Sequence, residues 1–108
     1  IVSSSTNAPA VLRAAGLDHH FPVVVDGRVA AERELPGKPA PDTFLAAAEQ
    51  LGVSPASTAV FEDATSGVQA AADGGFTQVI GVDRGAGATA LTDAGATLVI
   101  TDLQELVP

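Results

Sequence analysis

Short apolar runs alternate along the chain with segments whose apolar positions recur at helical spacing, so the sequence predicts strands that alternate with helices. Strands are predicted at residues 1–2, 21–25, 58–61, 78–82 and 97–100. A first helix is predicted between Asn7, which can cap it, and Gly16, which would end it. Further helices are predicted at residues 41–51, 66–73 and 88–93, and a terminal helical turn at residues 102–106. Because such an alternation builds a mostly parallel sheet covered by helices on both faces, we expect a three-layer α/β/α fold.

A proline-rich loop separates the second predicted strand from the helix that follows it. Pro36, Pro39 and Pro41 all lie in the segment 36–42. Proline fixes φ and has no N–H to donate, so this segment cannot extend a helix or a sheet. The same prolines restrain the backbone around Lys38, which favours a preorganised positive charge.

The composition is that of one small folded domain. The 108 residues are 46% hydrophobic, contain no Cys and carry a formal net charge of −8. The lack of Cys excludes disulfides and thiolate chemistry, and the negative charge argues against non-specific binding to nucleic acid. No apolar stretch approaches the roughly 20 residues that span a bilayer, and no signal peptide is visible. We therefore expect a soluble cytoplasmic protein without nucleic-acid or membrane partners.

The start of the chain is unusual. It opens on Ile1 and Val2, which read as part of a strand, and it contains no Met. Because native chains rarely begin inside a buried element, we expect residues 1–108 to be one partial domain of a longer protein.

Three polar clusters follow predicted strands or lie in a connecting loop. Residues 3–7 read Ser-Ser-Ser-Thr-Asn before a helix, where hydroxyls and free N–H groups bind anions. Lys38 lies in the proline-rich loop, and Glu62 and Asp63 follow a strand with no basic residue close by in sequence. Because the carboxyl ends of parallel strands share one edge, we expect the clusters to converge there. Together they would bind a phosphate and Mg²⁺.

Each cluster also has an ordinary structural interpretation. A serine-rich segment can simply cap a helix, a lysine in a loop is usually solvated, and acidic turns are common on surfaces. The phosphate site is therefore favoured by the combination of clusters and not by any one of them.

The combination resembles a known family. Val2-Ser3-Ser4-Ser5 ends a strand, residues 38–44 read K-P-x-P-D-x-F, and residues 62–67 read E-D-A-x-x-G about 25 residues later. These motifs resemble the β-phosphoglucomutase-like branch of the haloacid dehalogenase (HAD) superfamily, and the likeness covers nearly the whole chain. It implies a Rossmann-like, HAD-like core domain.

By this resemblance the complete protein transfers phosphoryl groups on a small phosphorylated sugar with Mg²⁺ as cofactor. Ser3 and the amide of Ser4 would bind the phosphoryl group, and Lys38 would neutralise it. Asp63 would ligate Mg²⁺, with Glu62 in the first or second coordination shell. The catalytic set implied for this chain is therefore Lys38, Ser3 and Asp63.

In the mutases of this branch, Ser5 and Asn7 would contact the second phosphate of the substrate. One family motif is missing, because D-x-D-G, which carries the aspartate nucleophile on the first strand, does not occur in the sequence. Asp26-Gly27 resembles its last two letters but lies after the serine motif, so we reject Asp26 as the nucleophile. Residues 1–108 would thus be a core domain without its first strand and cap, inactive alone and completed by the N-terminal part of the same protein.

Other interpretations stay open at this point. A phosphatase of small phosphorylated metabolites fits the same motifs, and so does a non-catalytic interaction module. Gly85-Ala86-Gly87-Ala88-Thr89-Ala90 fits the G-x-G-x-x-G/A pattern of a dinucleotide loop, with Asp102 after the next strand, but it leaves Lys38 unexplained. His19-His20 reads as a solvated loop, and Arg84 as a surface residue or part of the rim of the site.

Overall fold

Three parallel strands and five α-helices make up the computed structural model, which describes residues 1–108. In chain order the elements are α1 (Ala8–Ala14), α2 (Gly27–Glu32), α3 (Asp42–Leu51), β1 (Ala59–Glu62), α4 (Thr65–Asp73), β2 (Gln78–Val82), α5 (Ala88–Ala94) and β3 (Leu98–Ile100). Short 3₁₀ turns lie at Asp18–His20, Pro55–Ser57 and Leu103–Leu106. None of the helices has the length and apolar character that a membrane crossing requires.

The sheet has the order β1-β2-β3, and both pairings are parallel. Val60 pairs with Val79, and Ile80 pairs with Leu98. Helices α4 and α5 connect successive strands and contact them, as parallel connections require. The predicted α/β architecture with a parallel sheet is confirmed.

The main core lies between the sheet and helices α3, α4 and α5. It is built largely from small side chains, which allow the helices to approach the strands closely. Its members are Phe44, Ala48, Val60, Val68, Ala70, Ala71, Phe76, Val79 and Leu91. Phe44 and Phe76 meet edge-to-face with ring centroids 6.0 Å apart, a favoured aromatic geometry. The other face of the sheet is more open, since Phe61 and Leu98 on it stay exposed.

The prediction of two regular strands at residues 1–2 and 21–25 is wrong. The structure reduces them to one parallel bridge between Val2 and Val25. The N–H of Val25 donates to the carbonyl of Ile1 at 2.9 Å, and the N–H of Ser3 donates to the carbonyl of Val25 at 3.0 Å. The N–H and C=O of Val2 make no backbone hydrogen bond. Two paired segments without a further neighbour are too little sheet to form regular strands.

Helix α2 was missed, because residues 27–32 read only as a polar stretch. A signal for it exists: Asp26 is its N-cap, and the Asp26 Oδ1 accepts from the N–H of Val29 at 2.9 Å. The helix can begin at Gly27 because glycine has no Cβ to collide with the backbone of Ser4. A Cβ at that position would lie 2.5 Å from the backbone oxygen of Ser4.

An apolar groove separates the Val2–Val25 pair from β1. We call it the sheet groove. Its volume is about 440 Å³. Both of its walls are unpaired strand edges: β1 pairs only with β2, and Val2 pairs only with Val25. Its lining is almost wholly hydrophobic and includes Ile1, Val2, Phe21, Phe44, Ala47, Ala48, Leu51, Ala59, Val60, Phe61 and Phe76.

Candidate active site

Lys38 and Glu62 form an ion pair that connects the proline-rich loop to the carboxyl end of β1. The Lys38 Nζ lies 2.7 Å from the Glu62 Oε1. The two side chains are only 11% and 13% exposed, and the Nζ lies 4.9 Å from the centroid of the Phe44 ring. A close pair so shielded from water holds its geometry far better than a surface pair.

Glu62 is fixed by two further features of the segment after β1. Its Oε2 accepts from the N–H of Ala64 at 3.0 Å, so both carboxylate oxygens are engaged. Gly67 faces the Glu62 side chain, and a Cβ at Gly67 would collide with the carboxylate. The E-D-A-x-x-G spacing thus has a packing reason. The sequence showed no basic partner close to Glu62, but the fold supplies one from 24 residues earlier.

Asp63 is the free carboxylate of the acidic pair. It is exposed and takes part in no hydrogen bond or ion pair. With Glu62 it lines a cavity of about 520 Å³ at the carboxyl ends of the three strands. Arg84, Thr101 and Asp102 lie in the same lining, so Arg84 sits on the rim of the site.

The serine-rich segment is a series of side-chain turns. The Ser3 Oγ accepts from the N–H of Ser5 at 3.2 Å, and the Ser5 Oγ accepts from the N–H of Asn7 at 3.0 Å. Asn7 occupies the N-cap position of α1, but its side chain makes no capping bond, so its predicted capping role is wrong. Ser5 satisfies the backbone at this point instead.

Ser3, Ser4 and Lys38 share a second cavity, of about 310 Å³, which we call the serine–lysine cavity. Thr43 also lines it, from the first turn of α3, and Gly27 lies at its wall. Ser5 and Asn7 line neither this cavity nor the one beside Asp63. The structure therefore brings Ser3, Ser4, Lys38 and Glu62 together, with Asp63 directly after Glu62 and turned to the neighbouring cavity.

The side chains suit a divalent cation only in part. Mg²⁺ commonly takes one or two protein carboxylates together with phosphate oxygens and water. Asp63 is free for this use, whereas Glu62 already serves Lys38 and Ala64. No group of three or more His, Cys, Asp or Glu side chains lies close enough to hold a metal. Asp63 would thus need ligands from outside these residues to complete a site.

The other candidates from the sequence have structural roles. The Asp83 Oδ1 accepts from the N–H groups of Gly85 and Gly87 at 3.1 and 3.0 Å. These amides are therefore not available for a pyrophosphate, which removes the basis of the dinucleotide interpretation. His19 and His20 lie exposed on the 3₁₀ turn Asp18–His20.

Two polar side chains are buried with an unpaired oxygen, which the sequence did not predict. Asp26 is 1% exposed, and its Oδ2 has no hydrogen-bond partner. Thr43 is 6% exposed, and its Oγ1 also lacks a partner. An Asp between an apolar run and a helix is a recognisable cap signal, but nothing in the local sequence shows that Thr43 faces a cavity.

The comparisons with known proteins identify the family. The sequence model of one protein family, the haloacid dehalogenase-like hydrolases, matches residues 1–75. This is more than half of the chain, so the chain belongs to the haloacid dehalogenase-like hydrolases. The resemblance stated from the sequence motifs is confirmed.

Relatives of this chain include mutases and phosphatases. A β-phosphoglucomutase from Mycobacterium bovis is 50% identical over 110 residues, covering 99% of this chain and 42% of the relative. A fructose-1-phosphate phosphatase from Escherichia coli is 47% identical over 77 residues, covering 71% of this chain and 39% of the relative. The chain thus spans less than half the length of these curated relatives.

Solved structures with the same fold point to the same family. An HAD family hydrolase from Deinococcus radiodurans, with bound phosphate and sodium, gives a TM-score of 0.82 at 33% identity and covers 98% of this chain and 48% of its own. A β-phosphoglucomutase from Clostridium difficile gives 0.78 at 28% identity, with coverages of 95% and 42%. The predicted HAD-like core is confirmed.

Proposed function

We propose that this chain is the phosphate-binding part of an enzyme that transfers phosphoryl groups on sugar phosphates. The observation that carries the proposal is the serine–lysine cavity, where Ser3 and Ser4 meet Lys38 and where Glu62 holds the lysine. Hydroxyl and ammonium donors on a restrained backbone are what phosphoryl transfer needs, because its catalysis is mostly positioning and charge neutralisation. The mutase and phosphatase relatives support it.

The residues have distinct roles in this proposal. Ser3 and the amide of Ser4 donate to the phosphoryl oxygens, and Lys38 neutralises their charge. Glu62 keeps Lys38 in place, a positioning role that follows from the 2.7 Å ion pair. Ser5 and Asn7, on the exposed turn, are free to contact a second phosphate of the substrate.

Asp63 would hold Mg²⁺ together with oxygens from the substrate and from outside these 108 residues. The cation, when bound, supplies positive charge to the phosphoryl oxygens and helps to orient them. The exposed and unpartnered Asp63 carboxylate supports this assignment. Glu62 would lie behind the metal ligands and not among them, since its oxygens already bond to Lys38 and Ala64.

The nucleophile would come from outside these residues, on a strand that enters the sheet groove. Two facing, unpaired strand edges support this part of the proposal, since each offers N–H and C=O groups to an inserted strand. The groove is apolar on nearly all sides, as the site of a strand buried in a parallel sheet must be. Such a strand would end beside Ser3 and Glu62.

A β-phosphoglucomutase-like mutase is the first candidate for the complete protein, because such a relative matches 99% of this chain at 50% identity. A sugar-phosphate phosphatase is the second, favoured by the fructose-1-phosphate phosphatase that matches 71% of the chain. The two differ in whether water or a sugar accepts the phosphoryl group. A cytoplasmic location and a non-catalytic role for residues 1–108 alone stay predictions.

The test is an assay of the complete protein on a panel of sugar phosphates with and without Mg²⁺. We expect activity to depend on Mg²⁺ and to fall at least about a hundredfold in Asp63→Asn and in Lys38→Met, the range seen when a charge-stabilising group is removed. Glu49→Gln, on the exposed face of α3, is the matched control and should leave activity unchanged. Activity that survives both Mg²⁺ removal and Asp63→Asn would refute the metal assignment.

A further inference from the structure

Thr43 carries a hydroxyl that the fold leaves without a hydrogen-bond partner. The residue lies in the first turn of α3, is 6% exposed, and its Oγ1 makes no hydrogen bond. Leaving a buried hydroxyl unpaired is costly, and most buried polar groups in native proteins are satisfied. A partner that enters the site from solution would remove this cost.

The surroundings of Thr43 select the charge of that partner. Thr43 lines the serine–lysine cavity, whose polar side chains are those of Ser3, Ser4, Lys38 and Thr43, and no carboxylate lies in its lining. Lys38 is the only charged side chain in the lining, and Glu62 accepts from its Nζ. An ammonium has three N–H groups, so Lys38 keeps donors for another group. The cavity is therefore suited to an anion.

The start of α3, to which Thr43 belongs, also has free backbone donors. The N–H groups of Thr43 and Phe44 donate to no backbone carbonyl, since Leu45 is the first residue of the helix to bond back, to Pro41. Free N–H groups in the first turn of a helix attract negative charge. The unpaired hydroxyl and the free N–H of Thr43 thus belong to one residue of the cavity lining.

We propose that Thr43 is an anion-binding residue of the serine–lysine cavity and donates its hydroxyl to a phosphoryl oxygen. This inference rests on the proposed function and extends it by one residue. The Oγ1 is shielded from solvent in the structure, so binding involves rotation about the Cα–Cβ bond. Threonine in a helix populates two such rotamers, and the proposed binding uses the one that turns the hydroxyl towards the cavity.

The test compares the binding of inorganic phosphate to the full-length protein and to two variants by isothermal titration calorimetry. Thr43→Val keeps the shape of the side chain and removes the donor, and we expect it to weaken phosphate binding by about tenfold to a hundredfold, the range for one hydrogen bond to a charged group. Thr43→Ser keeps the hydroxyl and should bind within about threefold of the wild type. Lys38→Met reports on the cavity as a whole and should abolish binding.

Thermal unfolding without phosphate separates binding from stability. Thr43→Val should melt no lower than the wild type, because it removes an unpaired buried polar group. If Thr43→Val binds phosphate as tightly as the wild type while Lys38→Met does not, Thr43 has no part in binding and only the inference fails. If the wild type binds no phosphate, or Lys38→Met binds it equally well, the inference and the proposed function both fail.

Discussion

The two halves of this molecule contribute different things. Residues 42–108 contain all three strands and nearly all of the buried apolar residues, whereas residues 1–41 contribute only Ala8 and Val25 to that set. Yet three of the four polar side chains that line the serine–lysine cavity, Ser3, Ser4 and Lys38, come from the first 41 residues. The core and most of the groups proposed to bind phosphate are therefore built by different parts of the chain.

This division explains why the connections between the halves matter. The N-terminal half reaches the sheet through the Lys38–Glu62 ion pair and through Val2, which packs against the main core. The sheet groove interrupts backbone pairing between the halves. Ser3, Ser4 and Lys38 thus lie on segments with little core of their own, and a few contacts hold these segments beside β1.

Amide hydrogen exchange would give the largest difference between the halves. We expect amides of β2, which is paired on both sides, to exchange at least about a thousandfold more slowly than those around the Val2–Val25 bridge, because local opening there exposes little buried surface. Helices α4 and α1 form a matched comparison with the same expected order. Equal protection in both halves would mean that the N-terminal half is supported by contacts as strong as the core.

Breaking the Lys38–Glu62 pair tests the main polar connection. Removing one partner leaves a shielded charge without its counter-charge, so Lys38→Met and Glu62→Gln should each lower the free energy of unfolding by about 3 kcal/mol. The double variant should lose clearly less than the sum of the two, because the residues act as a unit. Urea unfolding measures all three.

Arg33→Met is the control for that cycle, because Arg33 is exposed and forms no ion pair. It should change the free energy of unfolding by less than about 0.5 kcal/mol. Additive losses from Lys38→Met and Glu62→Gln would mean that the pair contributes no coupling and that the halves are held together elsewhere.

The same division marks what the sequence could predict. Strands β1, β2 and β3 and the helices between them were predicted close to their observed bounds, because each apolar run and each glycine stop is local and the resulting elements pack on one another. The segments 1–2 and 21–25 have equally apolar patterns but form a single bridge. A strand needs a neighbour on its edge, and local sequence does not state whether one is present.

The site divides in a similar way. Ser3, Lys38, Glu62 and Asp63 could be selected from residue type and spacing, and the structure puts the first three around one cavity and its ion pair. The pairing of Glu62 with Lys38 could not be predicted, since the two are 24 residues apart and meet only through the fold. Thr43 was missed for the same reason, because burial without a partner is a property of the packed structure.

Gly67→Ala has the smallest expected effect of the destabilising variants. It tests the contact that directs Glu62 towards Lys38 in the N-terminal half. Alanine is the better helix former by about 1 kcal/mol, so propensity alone predicts a more stable α4. A Cβ at Gly67 would collide with the Glu62 carboxylate, however, and must displace it from Lys38. We therefore expect a net loss of about 2 kcal/mol in the free energy of unfolding, measured in urea, as overpacking typically gives.

Gly37→Ala is the matched control, because a Cβ there meets nothing within 4 Å. In a Glu62→Ala background the penalty should largely vanish, since the colliding carboxylate is gone. A stabilising Gly67→Ala in the wild-type background would mean that Glu62 can leave the turn freely and that the 2.7 Å ion pair is not what keeps Lys38 at the cavity.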